Sequence, residues 1–372
     1  MKMKAAVMTE VNKPLVIQEM ELDEPKSNEV LVKILATAVC HSDLNGLEDD
    51  TAPLPMILGH EACGIVVKAG SSVRTCKEGD KVVLSWDPAC GTCPYCRTGR
   101  THLCESAFGP MFGGTLLDDT SRLHTADGGN AYHYSLLSTF AEYTVVPEMS
   151  CVPVPDEIPA AQACMIGCGV STGYGAAVKA AKVEPGSSVA VFGLGGVGTN
   201  AIQGAKLAGA SIIIACDIKD KNLEKAKQYG ATHTINTLKE DAPARIAEIC
   251  EGIGSDFAID CTGNTMVGAM AYSSIRKGGT AVVIGAYPGD GKLTLPAGGF
   301  HRTAKVLRGS FYGDVNPFDD FPKIAQMYLD GKYDLDSLII DRIKLEDINI
   351  AFDAFHDPNG NNMGRYIIEF DD

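Results

Sequence analysis

Ser188-Val-Ala-Val-Phe-Gly-Leu-Gly-Gly-Val-Gly198 is the stretch whose reading decides the fold of this chain. Four residues of strand character, Val189 to Phe192, run straight into Gly193, Gly195 and Gly198, spaced G-x-G-x-x-G. A helical pattern follows from Thr199 to Ala208, and a second apolar run, Ile212 to Cys216, ends at Asp217. The order strand, glycine turn, helix, strand, acid suits a dinucleotide. Gly193 permits the turn, Gly195 lets the backbone approach a pyrophosphate, and Gly198 lets helix and strand pack closely. The helix start presents free N–H groups to the phosphates. Asp217 can accept both hydroxyls of an adenosine ribose and would repel a 2′-phosphate, so NAD is favoured over NADP. A lone glycine pattern is often no more than a tight turn; here both strands and the acid accompany it.

The alternation continues downstream. Lys221 to Tyr229 is helical in pattern and stops at Gly230, and residues 241–251 form another helix candidate. Phe257-Ala-Ile-Asp-Cys-Thr-Gly263 and Thr280-Ala-Val-Val-Ile-Gly285 read as buried strands. This is the pattern of an α/β doubly wound parallel sheet. From about Phe311 the pattern leaves the sheet, and Asp319 or Asp320 is expected to cap a helix through Leu329. Ile324, Met327 and Tyr328 share one face of it, as core.

The first half reads differently. Residues 1–88 are short strands broken by turns, among them Val30–Ala36, Gly64–Lys68 and Lys81–Ser85, which suggests a barrel-type β domain. Two polar constellations sit in it, Cys40-His-Ser-Asp43 and Gly59-His-Glu61. Each alone would be read as buried structural residues. Then come Cys90, Cys93, Cys96 and Cys104, spaced C-x2-C-x2-C-x7-C. Four thiolates so close can close a tetrahedron around zinc. Disulfides compete poorly at x2 spacing, and an iron–sulfur cluster is the second choice. Four cysteines leave no open position, so such a metal is structural. Residues 105–135, rich in Gly, Asp and Thr, read as a long surface loop, and Thr139–Val146 returns to strand pattern. Cys63, Cys76, Cys151, Cys164, Cys216, Cys250 and Cys261 read as small buried hydrophobes.

Length and composition set the limits. The 372 residues allow two domains; 45% hydrophobic and 21% charged describe an ordinary globular protein. A net charge of −15 argues against nucleic acid or an anionic membrane as partner. No apolar run approaches the ~18 residues of a membrane span, and the start reads as a strand, not a signal peptide. The cytoplasm is the expected compartment, where thirteen cysteines point to metal binding more than to disulfides.

Taken together, Gly59-His-Glu-Ala-Cys-Gly64 with Gly70 and Val73, the four-cysteine loop, Ile166-Gly-Cys-Gly-Val-Ser-Thr-Gly-Tyr-Gly175 and the glycine turn with Asp217 resemble the zinc-dependent, medium-chain alcohol dehydrogenases over essentially the full length. The long loop before Phe140 and the Ser-Thr-Gly-Tyr-Gly segment are most similar to the class holding the liver enzymes and glutathione-dependent formaldehyde dehydrogenase. The resemblance implies a GroES-like β-rich catalytic, zinc-binding domain over 1–170, with 311–372 returning to it, and a Rossmann NAD-binding domain over 171–310. It implies two zinc ions per chain. Cys40, His60 and Cys168 match the protein ligands of a catalytic zinc, and Glu61 a nearby acid. Cys90, Cys93, Cys96 and Cys104 match a structural zinc lobe. Ser42 matches the hydroxyl that takes the substrate proton. His41 and Arg365 match basic positions near the pyrophosphate. Thr172 and Val197 line the nicotinamide, Gly193, Gly195, Gly196, Gly198, Asp217 and Ile284 complete the cofactor set, and Trp86 matches a wall of the substrate pocket.

The activity so implied is reversible oxidation of an alcohol to an aldehyde or ketone with NAD. One alternative is an S-(hydroxymethyl)glutathione dehydrogenase; another, of a different class, is a non-catalytic NAD-binding sensor or structural oligomer. Two positions depart from the relatives. Asn45 stands where liver-type enzymes often carry a His ending the proton relay, and it cannot act as a base. Phe108 stands where the formaldehyde class has an Arg for the glutathione carboxylate, which disfavours that substrate. A strand within Ile275–Leu307 at the sheet edge predicts a homodimer.

Overall fold

The computed structural model describes residues 1–357 and 363–370. The chain divides into two compact units, Gly169–Val315 and the remainder, Met1–Cys168 with Asn316–Asp372.

The Gly169–Val315 unit is built on a six-stranded sheet in the order His233–Asn236, Ile212–Asp217, Ser188–Phe192, Ser255–Asp260, Ile275–Val283, Val306–Gly309. Every pairing is parallel. The order runs outward both ways from Ser188–Phe192, so the sheet is doubly wound and its switch point lies beside that strand. Val189, Ala190, Val191, Phe192, Ile213, Ile214 and Ala215 are all buried, as strands covered on both faces require. Ala190, Phe192, Ile214, Ile235 and Ala258 share one core with Ala242 and Ile246 of the helix Ala242–Ile249 and Ala271 and Tyr272 of the helix Thr265–Ser274.

The strand expected at the sheet edge within Ile275–Leu307 lies one in from it, at Ile275–Val283; the true edges, His233–Asn236 and Val306–Gly309, are four-residue segments too short to carry a period. The strand expected from Thr280 starts earlier, at Ile275, and runs through Gly278 and Gly279. The helix expected from Thr199 opens at Gly196, inside the glycine turn. Gly193 has φ +83, and a Cβ on Gly198 would lie 1.8 Å from the Gly193 carbonyl oxygen. The turn therefore closes only with glycine at both positions.

The other unit holds a closed barrel, Lys2–Met8, Val16–Leu22, Leu123–Thr125, Asn130–His133 and Met56–Ile57. A second sheet has the order Cys151–Pro153, Lys81–Leu84, Glu61–Ala69, Glu29–Val39, Arg365–Glu369, Ile339–Ile343, with Tyr143–Pro147 also pairing Glu29–Val39. Residues 105–135 are not a plain surface loop. They supply two barrel strands and the helix Phe108–Gly113, and they bury Ala107, Leu116, Leu123 and Ala131. Their Gly, Asp and Thr serve the turns, and strands of three or four residues leave too little apolar alternation to read.

In the helix Pro317–Leu329 the cap position falls on Asn316, not on Asp319 or Asp320, and the Asn316 side chain makes no capping bond. Asp320 sits inside the first turn and accepts the Asn316 N–H at 2.8 Å. Among the seven remaining cysteines, Cys63, Cys151, Cys164, Cys216 and Cys250 are buried, while Cys76 and Cys261 are half-buried. No helix among the described residues is long and apolar enough to cross a membrane.

Candidate active site and metal clusters

Sheet register assembles the main site. Strand Glu29–Val39 runs directly into Cys40, the cap of the helix His41–Glu48. Its antiparallel neighbours place Glu61 opposite Ala38 and Tyr366 opposite Val39, so Glu61 and Arg365 arrive beside Cys40 from either side. Cys168 ends the turn Met165–Gly167. A Cβ on Gly167 would stand 2.8 Å from the Leu84 carbonyl oxygen, so a bare residue lets that turn approach the sheet. Gly59 serves His60 similarly: φ is +94, and a Cβ would meet Thr139 Oγ1 at 2.6 Å.

The result is one buried cluster. Donor atoms of Cys40, His60, Glu61 and Cys168 all lie within 4.8 Å of one another. His60 Nδ1 is 2.8 Å from Asp43 Oδ1, which leaves Nε2 facing the cluster, buried and without a hydrogen-bond partner. An unpaired ring nitrogen beside two sulfurs is a donor set that fits a metal cation. Burial favours neutral His60, but Asp43 outweighs it and holds the imidazole pKa well above its usual value. The Cys168 thiol, with help from Arg365, holds Cys40 well below the ordinary thiol range against the effect of burial. Burial pushes Glu61 up to about 7 although Arg365 opposes it. The Arg365 guanidinium forks onto Glu61, both bonds 2.9 Å, and its Nη2 lies 3.3 Å from Cys40 Sγ.

The second cluster is local. The sulfurs of Cys90, Cys93, Cys96 and Cys104 also lie within 4.8 Å of one another. None forms a disulfide. Backbone N–H groups point at the sulfurs: Cys90 to Cys104 at 3.3 Å, Cys93 to Cys90 at 3.3 Å, Cys96 to Cys93 at 3.4 Å. The Thr92 hydroxyl and N–H hold the Cys90 thiol down to about 5. Four sulfurs with thiolate-stabilising donors fit a closed structural zinc, and two thiols with one imidazole fit a zinc with a position to spare. The two clusters are compatible with two zinc ions.

The other predicted residues lie as follows. Ser42 is half-buried with Oγ 3.8 Å from Cys40 Sγ. His41 is exposed, its ring edge-to-face with Phe355 at 5.4 Å. Asn45 is exposed on the same helix. Trp86 is half-buried against both apolar clusters of its unit. Arg365, read from the sequence as a pyrophosphate contact, is only 8% exposed and turned to Glu61 and Cys40. In the Gly169–Val315 unit, Gly193, Gly195, Gly196, Val197 and Gly198 form the turn and helix start after the first strand of the sheet. Asp217 ends the adjacent strand, accepting from Leu194 N–H and Lys219 N–H, both 2.8 Å. Thr172 is buried in the helix Gly169–Gly175, and Ile284 follows the strand Ile275–Val283.

Two residues escaped the sequence reading. Asp43 accepts from Cys40 N–H at 2.8 Å and Gly59 N–H at 3.2 Å besides holding His60. An acid three residues past a helix cap is a sequence signature that could have revealed it. Tyr134 donates its hydroxyl to the Ser42 carbonyl at 2.6 Å and stands edge-on to His60, centroids 5.8 Å apart. Nothing in its local sequence marks it.

A unit of this kind, beside a doubly wound unit with a dinucleotide turn, defines the class of zinc-dependent dehydrogenases. Residues 26–156 match the alcohol dehydrogenase GroES-like domain, and residues 196–330 match the zinc-binding dehydrogenase family. The chain is 40% identical over 369 residues to an alcohol dehydrogenase class-3 of Cereibacter sphaeroides, covering 96% of this chain and 97% of that one. It is 40% identical over 379 residues to an S-(hydroxymethyl)glutathione dehydrogenase of Saccharomyces cerevisiae, covering 99% and 96%. Among solved structures, benzyl alcohol dehydrogenase from Acinetobacter calcoaceticus is similar with a TM-score of 0.93 and 33% identity, each chain covered in full. A zinc-binding-domain alcohol dehydrogenase protein from Burkholderia ambifaria gives 0.95 and 34%, again over both full chains. The chain belongs to the zinc-dependent medium-chain alcohol dehydrogenase family, and it is an oxidoreductase.

Proposed function

We propose that this protein reversibly oxidises a primary or secondary alcohol to an aldehyde or ketone, with NAD as hydride acceptor. The observation that carries the reading is the buried, partnerless His60 Nε2 held against the sulfurs of Cys40 and Cys168. Zinc bound there supplies Lewis acidity to the alcohol oxygen, and the nicotinamide supplies the redox chemistry.

The chain's residues do the rest. Asp43 orients the imidazole, and Glu61 stands behind the two sulfurs. Ser42 takes the proton leaving the alcohol, and exposed Asn45 does not carry it further as a base. Arg365, with Glu61, balances charge around Cys40. The glycine turn from Gly193 to Gly198 seats the pyrophosphate, Asp217, held by two backbone donors, accepts the adenosine ribose hydroxyls, and Thr172, Val197 and Ile284 receive the nicotinamide. Trp86 bounds the substrate. Residues 1–170 and 311–372 form the catalytic domain, residues 171–310 the cofactor domain. Cys90, Cys93, Cys96 and Cys104 hold a structural zinc. A homodimer joined through the edge strand Val306–Gly309, working in the cytoplasm, completes the reading.

The names of the similar proteins favour a second reading, oxidation of the formaldehyde–glutathione adduct. Against it, Phe108 is 58% exposed and rests edge-to-face on Phe112, centroids 5.0 Å apart. An aromatic pair there offers a carboxylate nothing. The test is zinc analysis with an alcohol-dependent rise in NADH, then formaldehyde with and without glutathione. Two zinc ions and alcohol turnover support the first reading. Turnover of formaldehyde only with glutathione would replace it by the second.

A further inference from the structure

Asp260 ends the fourth strand of the parallel sheet and is fully buried. Five hydrogen bonds converge on it. Its carbonyl accepts from the N–H groups of Ile284 at 3.0 Å and Gly285 at 3.1 Å. Its carboxylate accepts from Thr262 N–H at 2.9 Å, Thr262 Oγ1–H at 2.7 Å and the Tyr287 hydroxyl at 2.7 Å. One acid thus ties the turn after its own strand to the turn after the fifth.

The hydroxyl packs directly over a glycine. A Cβ on Gly268, in the helix Thr265–Ser274, would stand 1.9 Å from Tyr287 Oη, so that glycine makes the seat. A Cβ on Gly263 would meet the Ala286 carbonyl at 2.3 Å, and one on Gly285 would meet Gly263 N at 2.2 Å. The two turns therefore pack backbone to backbone. The Thr262 methyl lies 2.5 Å from where a Cβ of Gly193 would be, so the array abuts the dinucleotide turn.

In a doubly wound sheet the ligand lies beyond the carboxyl ends of the strands, one mononucleotide to each half. Asp217 claims the adenosine for the second strand, so the nicotinamide falls to the half carrying the fourth and fifth strands. Those are the strands whose ends Tyr287 and Asp260 join. We propose that Tyr287 is a positioning residue for the nicotinamide: its hydroxyl, bonded to Asp260 and seated over Gly268, holds Ile284 and Gly285 where the cofactor must rest. The proposal rests on the reading that this unit binds NAD. It adds a device in which a single phenol oxygen sets the fit of one half of the cofactor and leaves the other half alone.

The experiment compares NADH and AMP binding to the zinc-loaded protein and its Tyr287→Phe variant, by calorimetry. Losing a charge-assisted hydrogen bond to a buried carboxylate should weaken NADH on the order of tenfold, while AMP, the adenosine half, should be unchanged. The Ile284 and Gly285 amides should exchange faster with solvent. Gly268→Ala, which displaces the hydroxyl while leaving Tyr287 and Asp260 in the sequence, should reproduce the NADH defect, and the two changes together should not add. Unchanged NADH binding in both variants would overturn the proposal, as would equal losses for NADH and AMP. Failure of the parent protein to bind either nucleotide would instead sink the NAD reading beneath it.

Discussion

The buried pair behind Cys40 allows a quantitative test. Glu61 is wholly buried and Arg365 nearly so, and two bonds of 2.9 Å join them. Both belong to the same unit. Replacing Arg365 by Met keeps the volume and removes the cation, so Glu61, which burial already pushes up to about 7 against Arg365, is left without its partner beside Cys40. At mildly alkaline pH, where the pair is charged in the parent, breaking it on one side costs about 3–5 kcal/mol, because the acid left behind keeps its desolvation penalty or takes up a proton. Replacing both partners by apolar residues removes that penalty, so Glu61→Leu with Arg365→Met should recover to within about 1 kcal/mol of the parent. The chain carries one tryptophan, Trp86, packed in this unit, so its fluorescence follows the right transition. With a urea slope of about 3 kcal/mol per molar, the midpoint of Arg365→Met should fall by about 1–2 M. A midpoint within about 0.3 M of the parent, or a double variant weaker than the single one, would refute the reasoning.

Three further outcomes are expected. Gly198→Ala drives a methyl to 1.8 Å from the Gly193 carbonyl, so NADH affinity should fall by about five- to a hundredfold, as an overpacking of about 1–3 kcal/mol implies, with zinc content unchanged; retained affinity by calorimetry would refute the turn assignment. Asp217→Gly should weaken NAD and relieve repulsion of the 2′-phosphate, read as a shift of kcat/KM toward NADP, and a parent enzyme already preferring NADP would contradict the ribose assignment. Cys93→Ser should lose one zinc and stability, Cys168→Ser one zinc and activity with the fold retained, as judged by elemental analysis beside thermal denaturation.

The parallel sheet was legible because its central strands are apolar runs that end in glycine or acid. The lobe was legible because its four ligands lie within one short loop. The catalytic cluster was not legible from spacing: Cys40, His60 and Cys168 come together only through the strand pairing of Glu29–Val39 and Glu61–Ala69 and the bare turn at Gly167, and resemblance alone proposed the set. Residues 105–135 were misread because barrel strands of three or four residues are shorter than any period a sequence can display. The helix cap at Asn316 was misplaced because two acids stood nearby, and Asp320 acts from inside the turn. Tyr134 and Tyr287 each reach a distant partner, the Ser42 carbonyl and the Asp260 carboxylate, through one hydroxyl, which no local pattern marks.

The two sulfur clusters divide folding from chemistry in the way their donors are recruited. In the lobe, the groups that point at the sulfurs are local: the N–H groups of Cys90, Cys93 and Cys96 themselves, and the N–H and hydroxyl of Thr92. The chain around them is largely exposed and has little core of its own. A closed metal there holds a loop that packing alone would not hold. At the other cluster the cation near Cys40 comes from Arg365, and Cys168 from a third segment. That set exists only once the strands are in register, so the fold precedes the site and does not depend on it. This is why an open coordination position is tolerable there: the surrounding sheets, and not the metal, carry the geometry. It also explains why the imidazole is tied to Asp43 within the same helix–strand corner, since a ligand that cannot rely on the metal for its orientation needs a fixed partner on its other nitrogen.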